Sequence, residues 1–470
     1  MRTTKSVRES KVTALIRGAV ARERLPFLLL CVLLVLSFMF GGSSRAEAPF
    51  LFVLRSVSVL AAFYAASRLS RQDVRSHRAV LVMAGLTLLL TLSHIVPLPP
   101  ALWQALPGRD LLRAIDQASG AGDVWRPISL VPSTTYNALF FLATPIAVLL
   151  LAIQLDTGDR IKILYVVLAL TFASAAVGLL QIAGMPIMLY GSSTRTGVLD
   201  ASGLFGNRNH QAALLAAVFP MLAVGARLAP SAGISRRLAD LTAVAVAVLL
   251  VPMLILTGSR AGLMLGGIAI LFTLFYGLLE ARILRRMSPR VALLVKAGAA
   301  LAVTAVIAGI TMIAARGLAI DRLESVAEDL RPKLWASIMP VVPDYLPLGS
   351  GVGSYVEVYQ IHEPFELLRP TYSNHAHNEY LEVALTAGVP GMLLIAVAAI
   401  LVLAAAWRNR SGASPERLLG RLGVTIIVIL ACASVTDYPL RTPILASLFV
   451  LAAIWCTPGS RGQDSRVAAT

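Results

Sequence analysis

Charge is scarce in this sequence. Only 14% of its 470 residues are Asp, Glu, Lys or Arg, where a soluble domain carries roughly a quarter. That excludes an ordinary soluble globular protein. Acids are the scarcer sign: 25 Asp and Glu stand against 41 Lys and Arg, a formal net charge of +16. Cysteine is almost missing. Cys31, Cys432 and Cys456 all fall in apolar runs, without metal-ligand spacing or an evident disulfide role. A Walker loop, an HExxH pair and a DxD-type acidic pair are absent too, so nothing points to a nucleotide, a catalytic zinc or a nucleotide-sugar metal. Solenoid repeats, low-complexity tracts and a soluble domain are likewise absent.

What the chain has instead is apolar length. It is 57% hydrophobic, with mean hydropathy +0.77. The apolar runs recur near the ~20 residues that cross a hydrocarbon core, and they are too long and continuous for barrel strands. They predict an all-α polytopic membrane protein of about twelve transmembrane helices. The expected spans lie near residues 26–40, 49–66, 80–96, 136–153, 161–182, 211–224, 241–256, 263–279, 291–313, 381–405, 424–435 and 443–454.

The first run follows Arg2, Lys5, Arg8, Lys11, Arg17, Arg22 and Arg24. Without a cleavage site and a soluble domain behind it, it reads as a retained span. Excess basic charge gathers in short loops, as the positive-inside rule requires, so it speaks for membrane orientation rather than nucleic acid. The expected layout is a cytoplasmic basic N-terminus (1–25), a transmembrane domain (26–457) and a cytoplasmic tail (458–470). Outer loops are expected near 97–135, 184–210 and 316–378, the last a long periplasmic loop with short helices between spans nine and ten. Arg55, near the outer end of span two, reads as snorkelling or as a lipid-headgroup ligand.

Against that background the outer face collects basic residues where the rule disfavours them: Arg195, Arg208, Arg260, Arg331, His375, His377 and Arg441. Guanidinium forks match phosphate oxygens, and histidine transfers protons near neutral pH. The set therefore suits a lipid-linked phosphate substrate. Each residue also has a plainer reading. Arg260 would serve equally as a helix C-cap, Arg208 as a solvated loop residue, His375 as a structural hydrogen-bonder and Arg331 as a folding residue. Residues Leu330–Trp335 read as a short amphipathic helix on the membrane, with Trp335 at the interface. Glu379 either orients a histidine or caps a helix N-terminus. The outer acids, Asp437 and Glu379 among them, show no local ligand pattern.

Four motifs carry a family resemblance over about Thr135 to Leu451: Gly203-Leu-Phe-Gly-Asn-Arg-Asn-His210, Leu256-Thr-Gly-Ser-Arg-Ala-Gly262, Leu334-Trp335 followed by Pro347-Leu-Gly-Ser-Gly-Val-Gly353, and His375-Ala-His-Asn-Glu-Tyr-Leu381 running on to Gly388-Val-Pro-Gly391. In this order they resemble the bacterial O-antigen ligase and O-antigen polymerase superfamily. His377, Asn378, Gly388 and Gly391 match the ligase signature: His, a small amide or hydroxyl residue, nine residues, then Gly-x-x-Gly. The chain departs from a frequent pattern at Asn207-Arg208-Asn209, where proline often stands between the asparagines. That leaves open whether Arg208 or Arg195 meets phosphate.

The resemblance implies a GT-C-like inverting glycosyltransferase. Such an enzyme uses neither metal nor cofactor, and moves a glycan from undecaprenyl diphosphate to an acceptor hydroxyl at the periplasmic face. The acceptor is lipid A–core for a ligase, or another lipid-linked glycan for a polymerase. It implies His377 as the catalytic base or acceptor-positioning group and Arg208, Arg260 and Arg195 as diphosphate ligands. His375, Asn378 and Glu379 would then stand behind them. The competing class is a multi-span transporter of an anion or lipid-linked glycan. No inverted repeat or matched pair of broken helices speaks for it. A non-catalytic assembly scaffold is a third class.

Overall fold

The computed structural model describes residues 24–185, 187, 190, 201–280, 288, 290, 330–370 and 372–458. Helices stand at eleven of the twelve expected runs. In chain order they are α1 (Arg24–Phe40), α2 (Leu51–Ser67), α3 (Arg78–Ser93), α4 (Pro132–Ala152), α5 (Thr157–Ile182), α6 (Arg208–Leu228), α7 (Arg236–Leu256) and α8 (Arg260–Glu280). Two short helices follow, α9 (Arg331–Ile338) and α10 (Tyr355–His362), and then α11 (Glu379–Asn409), α12 (Pro415–Ala433) and α13 (Pro443–Trp455). The expected ninth span, 291–313, lies outside the described residues, as do Arg195 and both ends of the chain. Five of these helices, α4 to α7 and α11, are long and apolar enough to cross a membrane. The strand content of the described residues is one two-residue pairing, Pro97–Leu98 with Arg126–Pro127.

The helix starts obey capping chemistry. Asp156, Asn207, Ser235, Asn378 and Ser414 each accept a hydrogen bond from a backbone N–H in the first turn that follows, satisfying donors the helix itself cannot. α12 begins nine residues before the expected run at 424. Arg417 and Arg421 ride on it, and Arg421, only 5% exposed, donates to Gly412 O at 2.6 Å. Arginine stems cover apolar surface while their heads find carbonyls, so hydropathy alone placed the boundary too late.

α6 is the axis of the bundle. Its apolar stretch is 89% buried, against 11% for α11, and α5, α7, α8 and α12 pack around it. Small residues allow the close approach. A Cβ on Gly262 would fall 2.2 Å from Ala212 Cβ, so α8 could not lie so close to α6 with any larger residue there. α11, in contrast, shows Leu393, Ile400, Leu403 and Trp407 59–70% exposed. In water such a stripe would be an interaction patch; on an apolar helix of this length it is the face that meets lipid.

α11 breaks at Gly388 (φ 58°, ψ −149°). The break frees backbone groups, which must be satisfied within the protein in an apolar medium. The Pro347–Gly353 loop does this. Ser350 N and Gly351 N donate to Leu385 O and Thr386 O at 3.0 and 2.9 Å, and Val389 N donates to Pro347 O at 2.8 Å. A Cβ at Gly388 would sit 2.2 Å from Pro347 O. The glycine of the His-to-Gly spacing is thus a backbone requirement, and it holds the loop ahead of His375 and His377 against α11. The 97–131 segment packs on the same loop: buried Arg109 donates to Ile128 O and Gly349 O, and Leu130 N to Ser350 O.

Candidate active site

The segments expected on the outer face meet at one end of the bundle. Gly206 N donates to Gly42 O, Ser259 Oγ to Asn209 Oδ1, and Trp335 Nε1 to Ala376 O. The last bond gives Trp335 a task the interface reading missed: it ties α9 to the histidine loop.

At the centre lies Asp437, 3% exposed, in the turn between α12 and α13. Its Oδ2 accepts from Asn207 Nδ2 at 3.2 Å and Asn209 Nδ2 at 2.6 Å. Arg331 Nη2 lies 3.6 Å from the same oxygen. On the other side, Oδ1 lies 3.3 Å from His377 Nδ1 and 3.6 Å from His210 Nε2. Both histidine contacts are ion-pair approaches rather than aligned hydrogen bonds, and these buried ring nitrogens make no hydrogen bond. Burial pushes the Asp437 carboxyl up, but His210 and His377 outweigh it and hold the group well below the usual carboxylate range. Asp437 is therefore a fixed anion, 4% exposed in its side chain, beside a histidine that is 27% exposed. His377 also has φ +49°. A bulky residue seldom adopts that left-handed conformation, and such strain persists where the surroundings enforce it.

A second charged knot adjoins the first. Arg441 meets Glu379 through Nε at 3.0 Å and Nη2 at 2.9 Å, and Glu382 through Nη1 at 3.0 Å. The same Glu382 oxygen lies 3.0 Å from His375 Nδ1, and its other oxygen accepts from Ala376 N at 2.9 Å. Burial lowers the Arg441 guanidinium, but the two carboxylates outweigh it and raise it further above its usual range. Between the knots stands Tyr438. Its ring lies 4.0, 5.0 and 5.1 Å from those of His375, His377 and His210, and its hydroxyl accepts from Asn374 Nδ2 at 3.2 Å. Burial and the Asp437 charge push its phenol up, so it stays neutral.

Of the residues expected at the site, His375, His377 and Glu379 come together here. Asn378 serves as the α11 N-cap, accepting from Leu381 N at 3.1 Å. Arg208 lines a 330 Å³ cavity beside the cluster, with Arg45, His210 and Tyr438. Among the described residues no carboxylate lines it. Arg260 is exposed at the first turn of α8, one residue from the Ser259 that bonds Asn209, and so stands at a helix start rather than a C-cap. Asp437, Glu382 and Tyr438 were missed as site residues, and Arg441 was seen only as one more outer basic residue. The available signals were a charged Asp-Tyr-Pro-Leu-Arg turn between two apolar runs and a carboxylate three residues after Glu379, on the same helix face.

No curated protein matches this chain. The family model described as O-antigen ligase matches residues 244–396. The matched segment runs from within α7 to the middle of α11 and contains Arg260, Arg331, the histidine loop, Glu379 and Glu382. Asp437 and Arg208 lie beyond it. Over that segment, short of half the chain, the similarity supports the O-antigen ligase and O-antigen polymerase superfamily.

Proposed function

We propose that this chain is a metal-independent inverting glycosyltransferase of the bacterial inner membrane. It moves a glycan from undecaprenyl diphosphate to an acceptor hydroxyl at the periplasmic face, with both termini cytoplasmic. One observation carries the reading: a partly exposed, left-handed His377 set with Nδ1 3.3 Å from the buried Asp437 carboxylate. A carboxylate behind one ring nitrogen favours the tautomer that leaves the other free as a base. Nε2 then takes the acceptor proton while the acceptor oxygen attacks the anomeric carbon. The bond from that carbon to the diphosphate oxygen breaks, and the electron pair leaves on the diphosphate. The proton passes from His377 to solvent or to the released undecaprenyl diphosphate.

Arg208, in the carboxylate-free cavity, and Arg260 receive the leaving diphosphate, with Arg195 as a further ligand. Cationic donors in place before reaction stabilise the developing charge without reorganisation. The clustering of ionisable groups at one end of the bundle supports transfer over transport, for which charges belong near the midplane.

The test is glycan transfer by purified protein in proteoliposomes supplied with lipid-linked donor. His377→Ala should lower turnover about 10²–10⁴-fold, the range of general acid–base catalysis, while the thermal midpoint stays near wild type. Near-normal turnover by a correctly inserted variant sinks the assignment. Arg260→Lys should also lose much activity, since an ammonium cannot replace a bidentate fork. A knockout separates the two family activities. Polymer made but left unattached to lipid A–core means ligase; single repeat units mean polymerase.

A further inference from the structure

A second cavity, of 480 Å³, opens on the other side of the 43–45 turn. It shares Ser43, Ser44, Arg45 and Asn374 with the cavity that Arg208 lines. The volume falls within the range of small-molecule sites, about 300–1,000 Å³. Three features separate it from its neighbour.

The first is charge. Three guanidinium groups (Arg45, Arg55, Arg441) and three carboxylates (Glu47, Glu357, Glu382) line it. Arg441 is already committed to Glu379 and Glu382. A balanced wall offers a diphosphate no net attraction and sets carboxylates against it. The second is unmet hydrogen bonding. Glu357 Oε2 and Arg55 Nε are buried and make no hydrogen bond, although Arg55 Nη2 donates to Asn137 Oδ1 at 2.7 Å. Buried polar groups are nearly always paired, so two such groups on one cavity wall ask for a partner. One is an acceptor and the other a donor, and a hydroxyl is the group that can serve both. The third is Tyr372, 51% exposed, which gives the cavity an aromatic face.

From these features we infer that the second cavity binds the acceptor glycan, with Glu357 accepting from one sugar hydroxyl and Arg55, held by Asn137, donating to another. The inference rests on the transfer reading above and deepens it: donor phosphate and acceptor sugar occupy adjoining cavities divided by the 43–45 turn. It gives Arg55 a role distinct from snorkelling. Asn374 and His375, which line the acceptor cavity, lie three and two residues before His377 on the same loop, so an acceptor there is carried toward the base.

The experiment uses the full chain in detergent micelles. The probes are short oligosaccharides released by mild acid from the source bacterium's own surface glycans and lipid core. Binding is read by calorimetry, and transfer is read separately with intact lipid-linked substrates. Wild type should bind the released glycan. Glu357→Gln and Asn137→Ala should each weaken that binding about tenfold, the equivalent of one charge-assisted hydrogen bond. Acceptor KM should rise in step while donor KM stays within twofold. Unchanged glycan binding in both variants, absence of glycan binding to wild type, a rise in donor KM instead, or displacement of the glycan by inorganic pyrophosphate overturns the inference. Variant-sensitive glycan binding without any transfer from the lipid-linked donor would leave the subsite standing and remove the transfer reading. Normal transfer with variant-insensitive binding would do the reverse.

Discussion

The two ends of this bundle spend their basic residues in opposite ways. At one end Arg160, 3% exposed, donates to Ile454 O and Thr457 O at 3.3 and 3.0 Å and meets His77 Nε2 at 2.7 Å. Arg408 donates to Cys456 O, Arg417 to Arg408 O and Arg421 to Gly412 O. These arginines satisfy carbonyls at and beyond helix C-termini, which have no intrahelical donor. At the other end Arg441, Arg331, His375, His377 and His210 surround three carboxylates, Glu379, Glu382 and Asp437. Capping carbonyls needs only donors and finishes helices. Pairing bases with buried acids costs desolvation. The second arrangement is the one a reaction can use, and four of its bases, Arg331, His375, His377 and Arg441, are among those expected on the outer face from the sequence, where the positive-inside rule would disfavour them.

The difference can be broken by substitution. The largest effect is expected from Asp437→Asn, which keeps the volume and removes the anion shared by His377, His210 and Arg331. Transfer should fall at least 10²-fold, by analogy with loss of a base's orienting partner, and the thermal midpoint should fall with it. The sign with pH follows from the depressed Asp437 pKa. The stability it contributes is complete above the unfolded value of about 3.9 and is lost as pH falls through the lower folded value. The midpoint gap between wild type and variant should therefore shrink as pH falls below about 4. A gap that persists unchanged well below pH about 4 would contradict the assignment.

Arg441→Met comes next. It takes the guanidinium away from Glu379 and Glu382, although Glu382 keeps His375 and Ala376 N, and breaking a buried pair from one side costs about 3–5 kcal/mol. Denaturant or thermal unfolding should read that loss. The double variant with Glu382→Gln should recover part of it, and no recovery would mean that the knot is not energetically coupled. The smallest effect is expected at the opposite end. Arg160→Met leaves two carbonyls without that donor and should cost about 1–3 kcal/mol, with transfer per folded molecule unchanged. A selective loss of turnover in Arg160→Met would erase the functional distinction between the ends.

The helices were legible because each is announced by its own residues. The early boundary of α12 was not, because Arg417 and Arg421 look like loop in a hydropathy scan, yet both ride on the helix and Arg421 is buried there. At the site, His377 stood out through its spacing to Gly388 and Gly391, and the structure gives that spacing a cause: Gly388 opens α11 so that the Pro347–Gly353 loop can dock. Asp437 could be seen only as one of several scattered acids. Sixty residues separate it from His377, and no local pattern links the two.

The sequence by itself determined that this is a helical membrane protein with its polar chemistry in a few connecting segments. Apolar runs near 20 residues can satisfy their backbone in lipid only as helices, and that is a local requirement. Only the tertiary structure decided which acid faces which base. Packing of α8 and α12 on α6 brings the Asp437 turn over the α6 cap, and the break in α11 helps to hold the histidine loop beside it. Such pairings are sums of contacts between distant segments, and the local pattern of none of those segments contains them.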